Sequence, residues 1–190
     1  PRTRSARANS RVDHARSQFE GLLTTALEAG TISDAAVAES VAQSRAMWHL
    51  RESIPLAQSE EGLNIKHDIA LPVSRIASFC AATDAALAAR WPGVRLVNFG
   101  HLGDGNLHYN VQAPAGVAAA DFVRDSERAV NKVVYDAVER HGGSISAEHG
   151  IGALKRDELA RRKDATAMAM MRAVKRALDP AGVLNPGRML

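Results

Sequence analysis

The chain has 190 residues, of which 46% are hydrophobic and 24% charged, and a net charge of +3. That length fits one domain with a real core, and the composition is that of an ordinary globular protein rather than a disordered or fibrous one. No apolar run reaches the ~18 residues of a membrane span, no secretory leader is visible, and a single cysteine, Cys80, excludes an internal disulfide and a cysteine-rich zinc site. A cytoplasmic protein with no nucleic-acid partner is expected.

In the opening "PRTRSARANSRVDHAR", Arg2, Arg4, Arg7, Arg11 and Arg16 face only Asp13. This reads as a solvated lead-in over residues 1–11, ahead of transit peptide or polyanion-binding arm. The start at Pro1, without Met, reads as a piece of a longer protein, with residues 12–190 as one domain. A helix is expected over 12–29, stopped at Gly30. Ser33-Asp34 then caps a second, over about 34–57. Leu63, Ile65, His67 and Ile69 alternate with Asn64, Lys66 and Asp68, the period of a strand. Pro72 opens a third helix, which runs to Arg90. "VRLVNFGH" and "NLHYNVQA" are strands, 119–141 is a long helix closed by Gly142-Gly143, and "SISA" is short and β-like. Two helices near 153–162 and 164–178 lead to the tail. The middle reads β-α-β-β-α-β with flanking helices, a ferredoxin-like α+β order. Its one antiparallel sheet carries helices on one face and leaves the other for chemistry.

Between two of these strands lies "NFGHLGDGNLHYNV". A two-residue turn at Asp104-Gly105 pairs His101 with His108 and puts both on one face with Phe99, Asn106 and Asn110. Leu107, Tyr109 and Val111 then point to the helices. Two imidazoles aimed at one point suit a divalent metal. The plainer alternative is two surface histidines beside a turn, and Gly103 leaves room for the register to slip. "HGGSISAEHGIG" adds Glu148 and His149 among small residues, a way to present a third ligand and a general base; a capping loop with Glu148 in solvent is the other reading.

"GHLGDGNLHYN", "SAEHGIG" and "LDPAGVLNPGRML" together resemble the C-terminal region of the FAD-linked oxidases that act on D-2-hydroxy acids, the group of D-lactate dehydrogenase, D-2-hydroxyglutarate dehydrogenase and the glycolate oxidase D subunit. The resemblance covers nearly the whole chain. It implies the substrate and metal half of a flavin enzyme, inactive alone, whose FAD sits mostly in a separate N-terminal domain. It further implies His101, His108 and Glu148 as ligands to a divalent metal, zinc by preference, with His149 as the base that takes the hydroxyl proton. By the same resemblance Asn110, Lys66 and Arg51 bind a small 2-hydroxy acid, and Asn185 with Arg188 approach the flavin. In the hydroxyglutarate branch a hydroxyl residue is expected one turn after the arginine. Pro55 stands there instead, so a second substrate carboxylate is less secured than the first.

The expected reaction turns a 2-hydroxy acid into a 2-oxo acid and passes electrons to a further acceptor. A divalent cation eases loss of the hydroxyl proton. A zinc hydrolase explains the same ligands but not the tail motif, and a non-catalytic domain with a residual metal site is the third reading. Exposed apolar surface, were the flavin domain absent, points to self-association as a homo-oligomer.

Overall fold

A computed structural model describes the backbone of residues 2–190 and the side chains of residues 13–190. The arginines at positions 2, 4, 7 and 11 of the lead-in thus have side chains outside the described residues, although the backbone there is helical. Among the described residues there are six α-helices and one three-stranded sheet. The chain divides into two compact units, Pro1–Gln58 and Ser59–Leu190.

The first unit holds α1 (Arg2–Glu28) and most of α2 (Val41–Glu60). The second helix starts several residues later than the Ser33-Asp34 signal predicts. A competing cap wins: the Ser40 hydroxyl accepts the Gln43 N–H at 3.2 Å, and the Gln43 side chain accepts the Glu39 N–H at 2.7 Å. This reciprocal pattern is close to a capping box and satisfies donors that a helix start leaves open. The Asp34 carboxylate accepts only the N–H of Ala35.

The second unit contains β1 (Asn64–Ala70), α3 (Ile76–Arg90), β2 (Arg95–His101), β3 (Asn106–Gln112), α4 (Ala119–Arg140), α5 (Arg156–Arg162) and α6 (Ala165–Leu178). The sheet is antiparallel in the order β1-β3-β2. Alternation assigns its faces as the sequence predicts. Ile65, His67, Ile69, Leu107, Tyr109 and Val111 are buried on one side against Phe79 and Leu87 of α3 and Phe122, Val130, Val134 and Val138 of α4. Each such apolar side chain stabilises the fold by roughly 1.5–3 kcal/mol. Arg162 pins α5 to α4 through Asp136 at 2.7 Å and Glu139 at 3.0 Å.

Two expectations are corrected. The β2–β3 hairpin does not turn on Asp104-Gly105 alone. Leu102–Asp104 form a 3₁₀ turn and Gly105 follows with φ 78°, so His101 pairs with Asn106 and Phe99 with His108. Gly105 is required twice over: its φ is left-handed, and a Cβ there would lie 2.0 Å from the Leu71 carbonyl oxygen. Nor does "SISA" make a fourth strand. It contributes one antiparallel bridge, Ser144 to Ala70 beside β1, after which the chain leaves the ladder. The physical reason lies in where the next backbone N–H groups go.

Candidate functional site

Those N–H groups go to a carboxylate. Asp68 lies on the polar face of β1, is 3% exposed, and accepts through Oδ2 from the N–H groups of Ala147 at 3.1 Å, Glu148 at 2.9 Å and His149 at 2.8 Å. Its Oδ1 accepts from the Asn106 amide at 3.1 Å. Burial pushes this carboxyl up, but the N–H groups and the charge of His149 outweigh it and hold Asp68 below the ordinary carboxylate range.

The captured loop brings Glu148 between the two histidines. Its Oε1 is 3.0 Å from Nδ1 of His101, and its Oε2 is 3.6 Å from Nε2 of His108. The two-residue offset in the hairpin explains why a third group fits there. Directly opposed imidazoles would stand ~4.5–5.5 Å apart at Cβ, whereas diagonal ones are ~7–8 Å apart. Parity is unchanged by an offset of two, so both histidines remain on the predicted face. His149 lies alongside, its ring centroid 5.6 Å from that of His108, and the Phe99 ring is 5.0 Å from His108, tilted by 39°. Burial lowers the pKa of His108; Asp68 and Glu148 oppose that, and His149 and His101 add to it.

The donor chemistry fits a divalent ion. Two imidazoles of borderline softness and one hard carboxylate are a donor set that first-row divalent ions accept. The 3.0 and 3.6 Å separations run to different oxygens of Glu148, so its carboxylate bridges the two imidazoles. Among the described residues the group whose ligand atoms, one each, all lie within 4.8 Å of one another is Asp68, His108 and His149, which could hold a metal ion; it shares only His108 with the expected set.

The remaining candidates divide by unit. Lys66 pairs with Asn110 on the same face as Asp68 and His108, so these four residues form a block on β1 and β3. Lys66 is exposed and Asn110 buried. The polar face is therefore less open than expected: Asp68, Asn106 and Asn110 are each buried. Asn185, with φ 47°, and Arg188 are exposed in the tail. That tail returns to the loop after His149, where the Met189 N–H donates to the Gly152 carbonyl at 2.8 Å and Arg156 donates to the Gly187 carbonyl at 3.2 Å. Arg51 lies on α2 in the first unit. Sequence reasoning missed Asp68, Lys155 and the Phe99 ring beside His108. Alternation marked Asp68 only as polar; the β1–β3 register, which sets it opposite His108, was the missing signal.

Residues 6–189 match the family described as FAD linked oxidases, C-terminal domain. The chain belongs to this family. It is 41% identical over 165 residues to a D-2-hydroxyglutarate dehydrogenase of Xanthomonas citri pv. viticola, covering 87% of this chain and 34% of that protein. A D-2-hydroxyglutarate dehydrogenase of Stutzerimonas stutzeri is 35% identical over 184 residues, 97% of this chain and 38% of its own length. A mitochondrial D-2-hydroxyglutarate dehydrogenase of Arabidopsis thaliana is 35% identical over 92% of this chain and 30% of its own length. This oxidase domain thus spans about a third of the length of the curated relatives it matches. Among its described residues no helix is long and apolar enough to cross a membrane.

Proposed function

We propose that this is the substrate- and metal-binding domain, residues 12–190, of a flavin-dependent dehydrogenase that oxidises a D-2-hydroxy acid to the 2-oxo acid. D-2-hydroxyglutarate, named in the relatives, is the first substrate to try. The observation that carries the reading is Glu148 standing between the two histidines, 3.0 Å from His101 through Oε1 and 3.6 Å from His108 through Oε2, beside His149 and on the face that holds Lys66 and Asn110. In this reading His101, His108 and Glu148 hold the metal. When bound, a divalent cation such as zinc acidifies the substrate hydroxyl, and FAD supplies the acceptor for the hydride.

The chain's own residues do the rest. Lys66, exposed at the edge of the block, takes the substrate carboxylate, and Asn110 fixes the neighbouring polar group. Together they hold C2 in a single orientation, which converts a loose encounter into a positioned one. His149 accepts the hydroxyl proton, since imidazole is the side chain suited to proton transfer near neutral pH. Asn185 and Arg188 face the flavin from the tail. The single bridge at Ser144 fits a reduced fourth strand of a ferredoxin-like sheet, in the edge position next to β1.

The alternative ligand set is Asp68 with His108 and His149, whose ligand atoms lie within 4.8 Å of one another; against it, three N–H groups occupy Oδ2 of Asp68 and the Asn106 amide one site of Oδ1. The test uses the full-length protein. It should be yellow, its flavin spectrum should bleach with D-2-hydroxyglutarate, and it should carry one zinc per chain that His108→Ala lacks. A colourless protein, or equal zinc in the variant, would reject the reading.

A further inference from the structure

Residues 147–149 belong to no helix or strand, yet they carry the two groups whose placement the site depends on. Loops without regular hydrogen bonding ordinarily satisfy their N–H groups with water and hold side chains loosely. Here three successive N–H groups point inward onto one oxygen of Asp68. The same stretch is held from its carbonyl side. The Lys155 ammonium, part-buried, donates to the Ile145 carbonyl at 2.8 Å and to the Asp68 carbonyl on β1 at 3.3 Å. The Asn106 amide, on the strand of His108, occupies the other carboxylate oxygen. One carboxylate therefore joins β1, β3 and the loop.

We infer that Asp68 is a positioning residue, which with Lys155 fixes the Glu148-His149 loop against the β3 histidine before any ligand arrives. Three N–H groups crowd Oδ2 and the Asn106 amide takes one site of Oδ1, so of the roughly four acceptor sites of the carboxylate most are spent on holding the loop and the neighbouring strand. The nearest imidazole nitrogens, His108 Nδ1 at 3.8 Å and His149 Nδ1 at 4.0 Å, lie beyond hydrogen-bond range. The loop's backbone, and not its side chains, is what Asp68 addresses. That leaves Glu148 and His149 free to point outward with their geometry set, which is how an outer partner tunes a metal site. The assignment rests on the metal reading above for its consequence, though not for its geometry.

The experiment is hydrogen exchange and zinc titration on the metal-stripped full-length enzyme. In the wild type, amides 147–149 should exchange far more slowly than free-chain rates. In Asp68→Asn that protection should be lost while β3 peptides stay protected. Zinc should still bind at one per chain, with affinity weakened by about 10–100-fold, the usual effect of removing an outer partner. At saturating zinc kcat should fall while KM holds, because Lys66 and Asn110 sit on the ladder. Unchanged exchange in Asp68→Asn overturns the inference, as does complete loss of zinc with the loop still protected, which would make Asp68 a ligand. If Asp68→Asn unfolds, visible as exchange of β3 itself, Lys155→Met decides: selective loosening of 145–149 with weaker zinc supports the brace, and no change overturns it. A wild type that binds no zinc strikes the metal reading and leaves the exchange result to judge Asp68.

Discussion

His67 and His108 stand on neighbouring strands of one sheet and have opposite fates. His67 faces the helices and is fully buried. Its Nδ1 is 2.8 Å from the Tyr109 carbonyl, and its Nε2 is 2.8 Å from the Asn131 side-chain amide. A backbone carbonyl only accepts, so Nδ1 carries the hydrogen and Nε2 of the neutral ring accepts, which the Asn131 amide serves by turning its NH2 toward it. Tyr135 packs edge-on against the ring. Burial, opposed by these bonds, pushes the His67 pKa down to about 4, so it stays neutral at ordinary pH. His108 faces the loop of Glu148 and His149, where partners approach without saturating it. Side-chain parity alone separates a histidine of the core from a histidine with chemistry left to do.

The comparison breaks most severely at the site face. In the full-length enzyme, His149→Ala should keep zinc and bind substrate nearly normally, yet reduce flavin slowly, by the ~10²–10⁴-fold typical of a lost general base. Glu148→Ala should lose zinc instead and regain part of its activity at high added zinc. Stopped-flow flavin reduction and zinc analysis together distinguish the two; near-normal flavin reduction in His149→Ala would assign the proton to another group.

On the core face the expected loss is stability. His67→Ala removes the ring's hydrogen bonds to the Tyr109 carbonyl and the Asn131 amide and opens a cavity, at a cost of about 2–5 kcal/mol in urea unfolding. His108→Ala, in metal-free protein, should cost less than about 1 kcal/mol.

A pH series sharpens the same contrast. The folded pKa of His67 lies near 4 and the unfolded one near 6.5, so below 6.5 the unfolded state binds the extra proton. Stability should therefore be full above pH 6.5 and fall as pH drops toward 4, by roughly 3 kcal/mol from this group. A His67→Gln variant should show a flatter profile in that window, read from denaturation midpoints, and an equally steep profile would clear His67 of the effect. The smallest change belongs to Phe99→Leu, which removes the ring beside His108. Zinc stoichiometry should hold and affinity should weaken by only a few-fold, in line with an aromatic pair worth ~0.5–1.5 kcal/mol; titration calorimetry measures it.

Much of this was legible from residues alone. Alternation in 63–69 and 106–111 assigned the faces, and Glu148-His149 stood out among glycines. The failures have two causes. The hairpin register was decided by the 3₁₀ turn over Leu102–Asp104 and Gly105, and the start of α2 and the fourth strand by side chains competing for backbone groups: the Ser40 and Gln43 cap, and above all the Asp68 carboxylate, which takes N–H groups that a strand would have given to β1. Such competition depends on which distant segment arrives, and no local pattern records it.

The turn over Leu102–Gly105 also has a consequence for how this site can drift in evolution. Sliding β2 along β3 by one residue turns every side chain over and sends one of the two histidines into the helices. Sliding it by two keeps both on the polar side and shifts one past the other by about 6.8 Å along the strand, two residues of antiparallel rise. Donor spacing in this hairpin is thus available only in discrete steps. Changes in turn length that slide the strand by an even number of residues reset the gap between the imidazoles, and the carboxylate arriving from the 147–149 loop must match whichever step the turn has taken.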